Sequence, residues 1–182
     1  MNNGNNNNMA AIASPLSRKD IHHLTEKIRR TFGIEETESF PIVEVIEMLP
    51  EIDKTFNFLI EEDRYMKPNV YAEYFHSSNE MIIAESVYDG ATNGIGRHRF
   101  TLAHELGHYI LIKHGEVSFK RIGVNARVEQ YCNPEWQANE FSGNLLVPIN
   151  SITNYSETEI VKRYIVSYQV AEIQKNKNAS WL

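Results

Sequence analysis

The run His104-Glu105-Leu106-Gly107-His108 places two imidazoles four residues apart, with a carboxylate beside the first. On a helix four residues is slightly more than one turn, so both rings leave the same face and can grip one ion. Glu105 falls at the edge of that face, where it can take a proton from water on the ion without being a ligand. The chemistry this permits is metal-assisted hydrolysis, in which zinc lowers the pKa of water and a neighbouring base removes its proton. Two histidines and a glutamate are also poor core residues unless something binds them. The bland alternative is a solvated helical face.

A hydrolytic zinc takes three protein ligands and keeps one position open, so a third ligand must come from elsewhere. Three residues compete. His114 follows His104 by ten residues, the spacing of the extended motif HExxHxxGxxH. Leu111, however, stands where that motif needs a glycine to swing the chain back, and all 5 methionines precede the motif, so no methionine turn can follow. A cation-capable side chain near a helix C-terminus has a sufficient explanation in the helix dipole. Cys132 lies downstream in a loop, whereas sites that pair a cysteine with this motif carry it upstream; an ordinary lone thiol accounts for it. Glu135 opens the segment Pro134-Glu135-Trp136-Gln137-Ala138-Asn139-Glu140-Phe141 at the start of the next helix. Asn139, one turn on, shares its face and can hold a metal-bound histidine from behind. Ala138 is small enough for two helices to approach closely. The residues therefore favour one zinc on His104, His108 and Glu135, with Glu105 as base. Without a metal, Glu135 would be a helix-start carboxylate facing the dipole.

The elements that must position these residues can be read from hydrophobic period. Ile21, Leu24, Ile28 and Phe32 recur at helical spacing, with Ser17 as cap and Gly33 as stop. A second helix is expected from Pro41, capped by Ser39 and ended by Pro50. Thr55 to Ile60, Asn69 to Phe75 and Glu80 to Ala84 read as short strands, the last two joined by a turn at Ser77-Ser78-Asn79. Residues 86–96 are rich in Gly and Asn and read as a loop. A helix from about Arg97 to His114 is apolar nearly all round, which marks it as central and buried, and Gly115 is placed to end it. Residues 116–132 look irregular, Asn133-Pro134 opens a helix that Pro148 stops, and two weak helical stretches span 157–174. The expected class is α+β, with a small antiparallel three-stranded sheet packed among helices. Residues 1–16 read as a tail headed by an asparagine tract with nothing to bury, and 17–182 as one domain.

Composition limits the function further. Eighteen basic against 24 acidic side chains give a net charge of −6, which argues against direct nucleic-acid binding through bulk positive charge. No apolar run is long enough to span a membrane, and no signal-peptide pattern is present. A single cysteine excludes an internal disulfide and suits the cytoplasm.

RHRFTLAHELGHYIL (Arg97 to Leu111), followed by EWQANEFSGNLLVP (Glu135 to Pro148), resembles the ImmA/IrrE family of metallopeptidases. That family pairs RFTLAHELGH with a downstream ExxAN-x-F-A-x-x-LL-x-P segment; Ser142-Gly143 departs from its usual small apolar pair. The resemblance spans roughly 18–175, with strong motifs only in 97–148. It implies a zincin-like fold of minimal gluzincin type, with His104, His108 and Glu135 on zinc and Glu105 as base. It also implies endoproteolysis of a helix-turn-helix repressor in a mobile-element or stress circuit. Tyr71, Tyr74, His98 and Tyr109 are candidates to stabilise an oxyanion. Two other classes compete: a zinc-retaining binding module, such as an antitoxin or anti-repressor, and a metal-independent regulator. A base at Glu105 has no use in the first of these.

Overall fold

The computed structural model describes residues 12–113 and 129–181; the asparagine tract, His114 and Gly115 lie outside them. Helix α1 (Arg18–Thr31) begins at a reciprocal cap: Ser17 Oγ accepts the Asp20 N–H while Asp20 Oδ2 accepts the Ser17 N–H. Gly33, at φ +68°, turns the chain away from its end. Just ahead of α1, Ala13 and Leu16 are buried, and their N–H groups donate to the Cys132 and Tyr131 carbonyls. Helix α2 (Ile42–Ile52) buries Ile42, Val43, Val45, Ile46 and Leu49 and holds Pro50 inside its last turn rather than ending at it. Ser39 does not cap it; that hydroxyl donates to the Tyr164 carbonyl.

Strands β1 (Asn57–Glu61), β2 (Ala72–Phe75) and β3 (Glu80–Ala84) form a sheet in the order β1-β3-β2. β2 and β3 are the expected antiparallel hairpin, with Asn79 at φ +54° in the turn. β1, however, runs parallel to β3, so the sheet is mixed and not antiparallel throughout. The ten residues between β1 and β2, which include a 3-10 turn at Asp63–Tyr65, carry the chain past the place β3 takes. Alternation of apolar residues marks a strand and its faces but says nothing of its neighbours.

The expected loop at 86–96 is largely helix α3 (Glu85–Thr92). Its Gly90 serves close packing, since a Cβ there would sit 1.8 Å from His98 Nδ1. Helix α4 (Gly96–Lys113) is central, burying Leu102, Ala103, Leu106 and Leu111. Helix α5 (Pro134–Leu146) packs along it. Helices α6 (Glu157–Tyr164) and α7 (Tyr168–Trp181) follow, α6 entered through a second capping box at Ser156. The α+β class stands. Among the described residues no helix is long and apolar enough to cross a membrane.

Two buried arginines tie distant segments together. Arg99 Nε donates to the Ile165 carbonyl at 3.0 Å, and its Nη2 to Ser39 Oγ at 2.9 Å and the Phe40 carbonyl at 2.5 Å. Arg29, 1% exposed, donates to the Leu145, Glu35 and Glu38 carbonyls and lies over the Phe40 ring. Arg29→Met keeps an unbranched stem but takes the side-chain donor from the buried Leu145 carbonyl and the part-buried Glu38 carbonyl, while the Glu35 carbonyl still accepts the Glu38 N–H. At roughly 1–3 kcal/mol for a buried acceptor left unpaired, urea denaturation should read a loss of about 2 kcal/mol or more. A loss below about 1 kcal/mol would mean that water takes the guanidinium's place.

Candidate metal centre

The two histidines and Glu135 meet because α4 and α5 approach unusually closely. An ideal Cβ on Gly107 would lie 3.0 Å from Phe141 Cδ1 and 3.4 Å from the Ala138 backbone, so glycine facing alanine lets the helix axes close up. Asn133 sets where α5 starts, its Oδ1 accepting the Glu135 and Trp136 N–H groups at 2.8 and 3.2 Å. Glu135 therefore occupies the first turn and reaches back to α4. His104 Nε2 lies 3.0 Å from His108 Nε2 and 3.2 Å from Glu135 Oε2, and His108 Nε2 lies 3.3 Å from Glu135 Oε1.

Ligand atoms about 2.0–2.2 Å from one ion at tetrahedral angles stand roughly 3.3–3.5 Å apart. Two nitrogens and a carboxylate at 3.0–3.3 Å match that spacing, and three donors leave a fourth direction open. These three residues could hold a metal ion, and their donor set suits zinc. Behind His104, Asn139 Oδ1 lies 3.2 Å from Nδ1. An Nδ1–H donated to that oxygen would leave the Nε2 lone pair for a metal ion.

The electrostatics follow from the same contacts. Burial opposes a charge on His104, yet the Glu135 hydrogen bond and the charges of Glu105 and Glu135 hold its pKa above the ordinary value. His104, then His108, hold the Glu135 carboxyl well below the usual range, against the opposing effect of burial. Glu105 behaves differently: burial pushes its pKa up, against the lowering effect of the nearby histidines. Its Oε2 accepts the Tyr74 N–H from β2 at 2.8 Å. The base candidate is thus anchored to the free edge of the sheet by a backbone contact for which no side-chain pattern gives a signal. His104 and Glu105 line a cleft of about 420 Å³ whose opposite wall runs from Asn69 to Glu73.

The remaining sequence candidates separate clearly. Tyr71 lines this cleft and is half exposed. The Tyr74 hydroxyl donates to Asn79 Oδ1 and the Tyr109 hydroxyl to Asp53 Oδ2, so both phenols are engaged elsewhere. Burial, then the Asp53 charge, push the Tyr74 pKa up to about 12. His98 packs against Gly90 of α3. Cys132 is a partly exposed free thiol outside the His-His-Glu group, and His114 lies outside the described residues.

The model of the IrrE N-terminal-like domain, Peptidase_M78, matches residues 53–174. No curated protein matches the chain. Among solved structures, a Mycobacterium tuberculosis transcriptional regulator is similar at a TM-score of 0.52 and 12% identity, over 84% of this chain and 45% of that one. At that identity the likeness concerns the fold alone, and this chain spans less than half of that protein's length.

Proposed function

Since the chain belongs to the Peptidase_M78, IrrE N-terminal-like domain family, we propose that it is a zinc-dependent endopeptidase that cleaves a helix-turn-helix repressor. The observation that carries this reading is the convergence of His104, His108 and Glu135 beside a half-buried Glu105 held by the Tyr74 N–H. His104, His108 and Glu135 hold the ion, and Asn139 fixes the His104 ring. Bound there, zinc supplies a Lewis acid that acidifies water and polarises a peptide carbonyl.

The chain's own residues do the rest. Glu105, with its pKa raised by burial, accepts a proton from the attacking water and returns it to the leaving nitrogen. Its anchor on the Tyr74 N–H keeps the carboxylate from rotating away. Among the described residues β2 pairs only with β3, so an extended peptide can lie along its other edge and pass Glu105. Tyr71 is the phenol placed to face such a peptide. A cytoplasmic protein target fits the composition.

The test is to incubate zinc-loaded protein with the repressor encoded beside it and identify fragments by mass spectrometry. Discrete fragments that vanish on chelation are expected; an intact repressor under saturating zinc would overturn the proposal. Asn139→Ala probes the support of His104. It should weaken zinc binding by about 10–100-fold, read by competition with a chromogenic chelator. An unchanged affinity would mean that the ring is oriented by its packing.

A further inference from the structure

A second cavity, of about 440 Å³, lies between the start of α4, the middle of α5 and helix α7. Phe100 and Thr101 line both this cavity and the cleft that holds His104 and Glu105. Asn139, whose side chain meets the His104 ring, is part of its wall. The two hollows therefore adjoin about one helical turn, or about 5 Å, before the first histidine.

What the cavity presents is mainly hydrocarbon: Phe100, Val170, Ile173 and the bare backbone at Gly143. Ile173 is 44% exposed there. Of the charged groups, Glu140 and Lys177 are already matched to each other. Glu140 pairs with Lys177 at 2.9 Å and with Arg18 at 3.7 Å, and the Arg97 guanidinium lies over the Tyr71 ring at 5.3 Å. Glu140 Oε2 and Gln174 Oε1 have no hydrogen-bond partner among the described residues, but both are closed off from solvent. An occupant meets their stems and not their oxygens.

The geometry points to a specificity pocket that takes one large apolar side chain of a peptide whose neighbouring bond lies at the metal centre. The inference rests on the peptidase reading above. Its volume falls within the range of pockets that enclose small ligands and exceeds what a leucine or phenylalanine side chain needs. A charged side chain seated against Phe100, Val170 and Ile173 would lose its hydration, and Arg97, which lies over the Tyr71 ring, is itself exposed to water.

Two measurements test this. In the first, zinc-loaded Glu105→Gln protein is titrated with N-acetyl-leucinamide and, separately, with the corresponding glutamate amide, and followed by NMR. The leucine compound should shift the Phe100, Val170 and Ile173 signals, the glutamate compound should not, and Ile173→Glu should abolish the leucine response. In the second, casein peptides cut by the unmodified protein are sequenced. A large apolar residue should flank the cut bond, and Ile173→Glu should lower kcat/KM for such peptides by about tenfold or more. Ile173 is exposed enough for that variant to fold, and the NMR comparison of the two compounds does not depend on it. Cleavage without apolar preference, or equal shifts from both compounds, would overturn the pocket and leave the peptidase standing. Cavity shifts without cleavage of any peptide would uphold the apolar site and overturn the peptidase reading.

Discussion

Zinc-loaded Glu105→Gln is expected to cut its protein target about 10²–10⁴-fold more slowly than the parent while keeping its metal and its fold. The amide matches the carboxylate in shape, and its oxygen can still accept the Tyr74 N–H that anchors Glu105 Oε2 at 2.8 Å. What it cannot do is accept the proton of the attacking water. Glu105 stands outside the group formed by His104, His108 and Glu135, so elemental analysis should find the same zinc content in both proteins. Fragment yield over time reads the chemistry, and thermal melting reads the fold. If the glutamine variant relieved repression as well as the parent, the protein would act by binding its target, and the zinc-retaining binding module would replace the peptidase.

Glu135→Ala is expected to lose most of its zinc, with a thermal consequence visible only in the loaded protein. The Glu135 side chain is 69% exposed. Without metal its contacts with the two imidazoles are surface ion pairs, worth about 0–1 kcal/mol. With metal the residue joins α5 to α4 through an ion, and the binding free energy adds to folding stability. The parent should therefore melt several degrees higher with zinc than after chelation. The variant should melt near the chelated parent under both conditions. Cys132→Ala should leave occupancy unchanged. Zinc retained in Glu135→Ala but lost in Cys132→Ala would move the third ligand to the thiol.

The sequence carried the core of the site because its chemistry is local and periodic. His104, Glu105 and His108 sit on one helix, and Asn133-Pro134 announces the helix that brings Glu135 and Asn139. Ala138 was readable as a small residue at a close crossing, and the structure sets Gly107 against it. The rest depends on contacts that no spacing encodes. β1 lies beside β3 and parallel to it because of the path taken by the intervening residues. Gly90 looks like a loop residue but is a packing surface for His98. The anchor of Glu105 is a main-chain N–H, which every residue except proline could supply. Tyr74 and Tyr109 looked like oxyanion candidates by proximity, and only the fold reveals that their hydroxyls bond to Asn79 and Asp53.

The clamp at the start of α4 bears on how the domain is assembled. Arg99 holds the carbonyl of Ile165, 66 residues further along the chain. A side chain on Gly96 would come within 2.3–2.4 Å of the backbone at Val166 and Ser167. The helix that carries both histidines is thus seated by a segment made long after it. On a ribosome, where the chain emerges from its N-terminus, α4 has no final position until the residues after α6 are available. Contacts of such long sequence separation are slow to form. During synthesis the histidines are therefore present while their helix is unfixed, and the site is completed only once the segment after α6 has emerged.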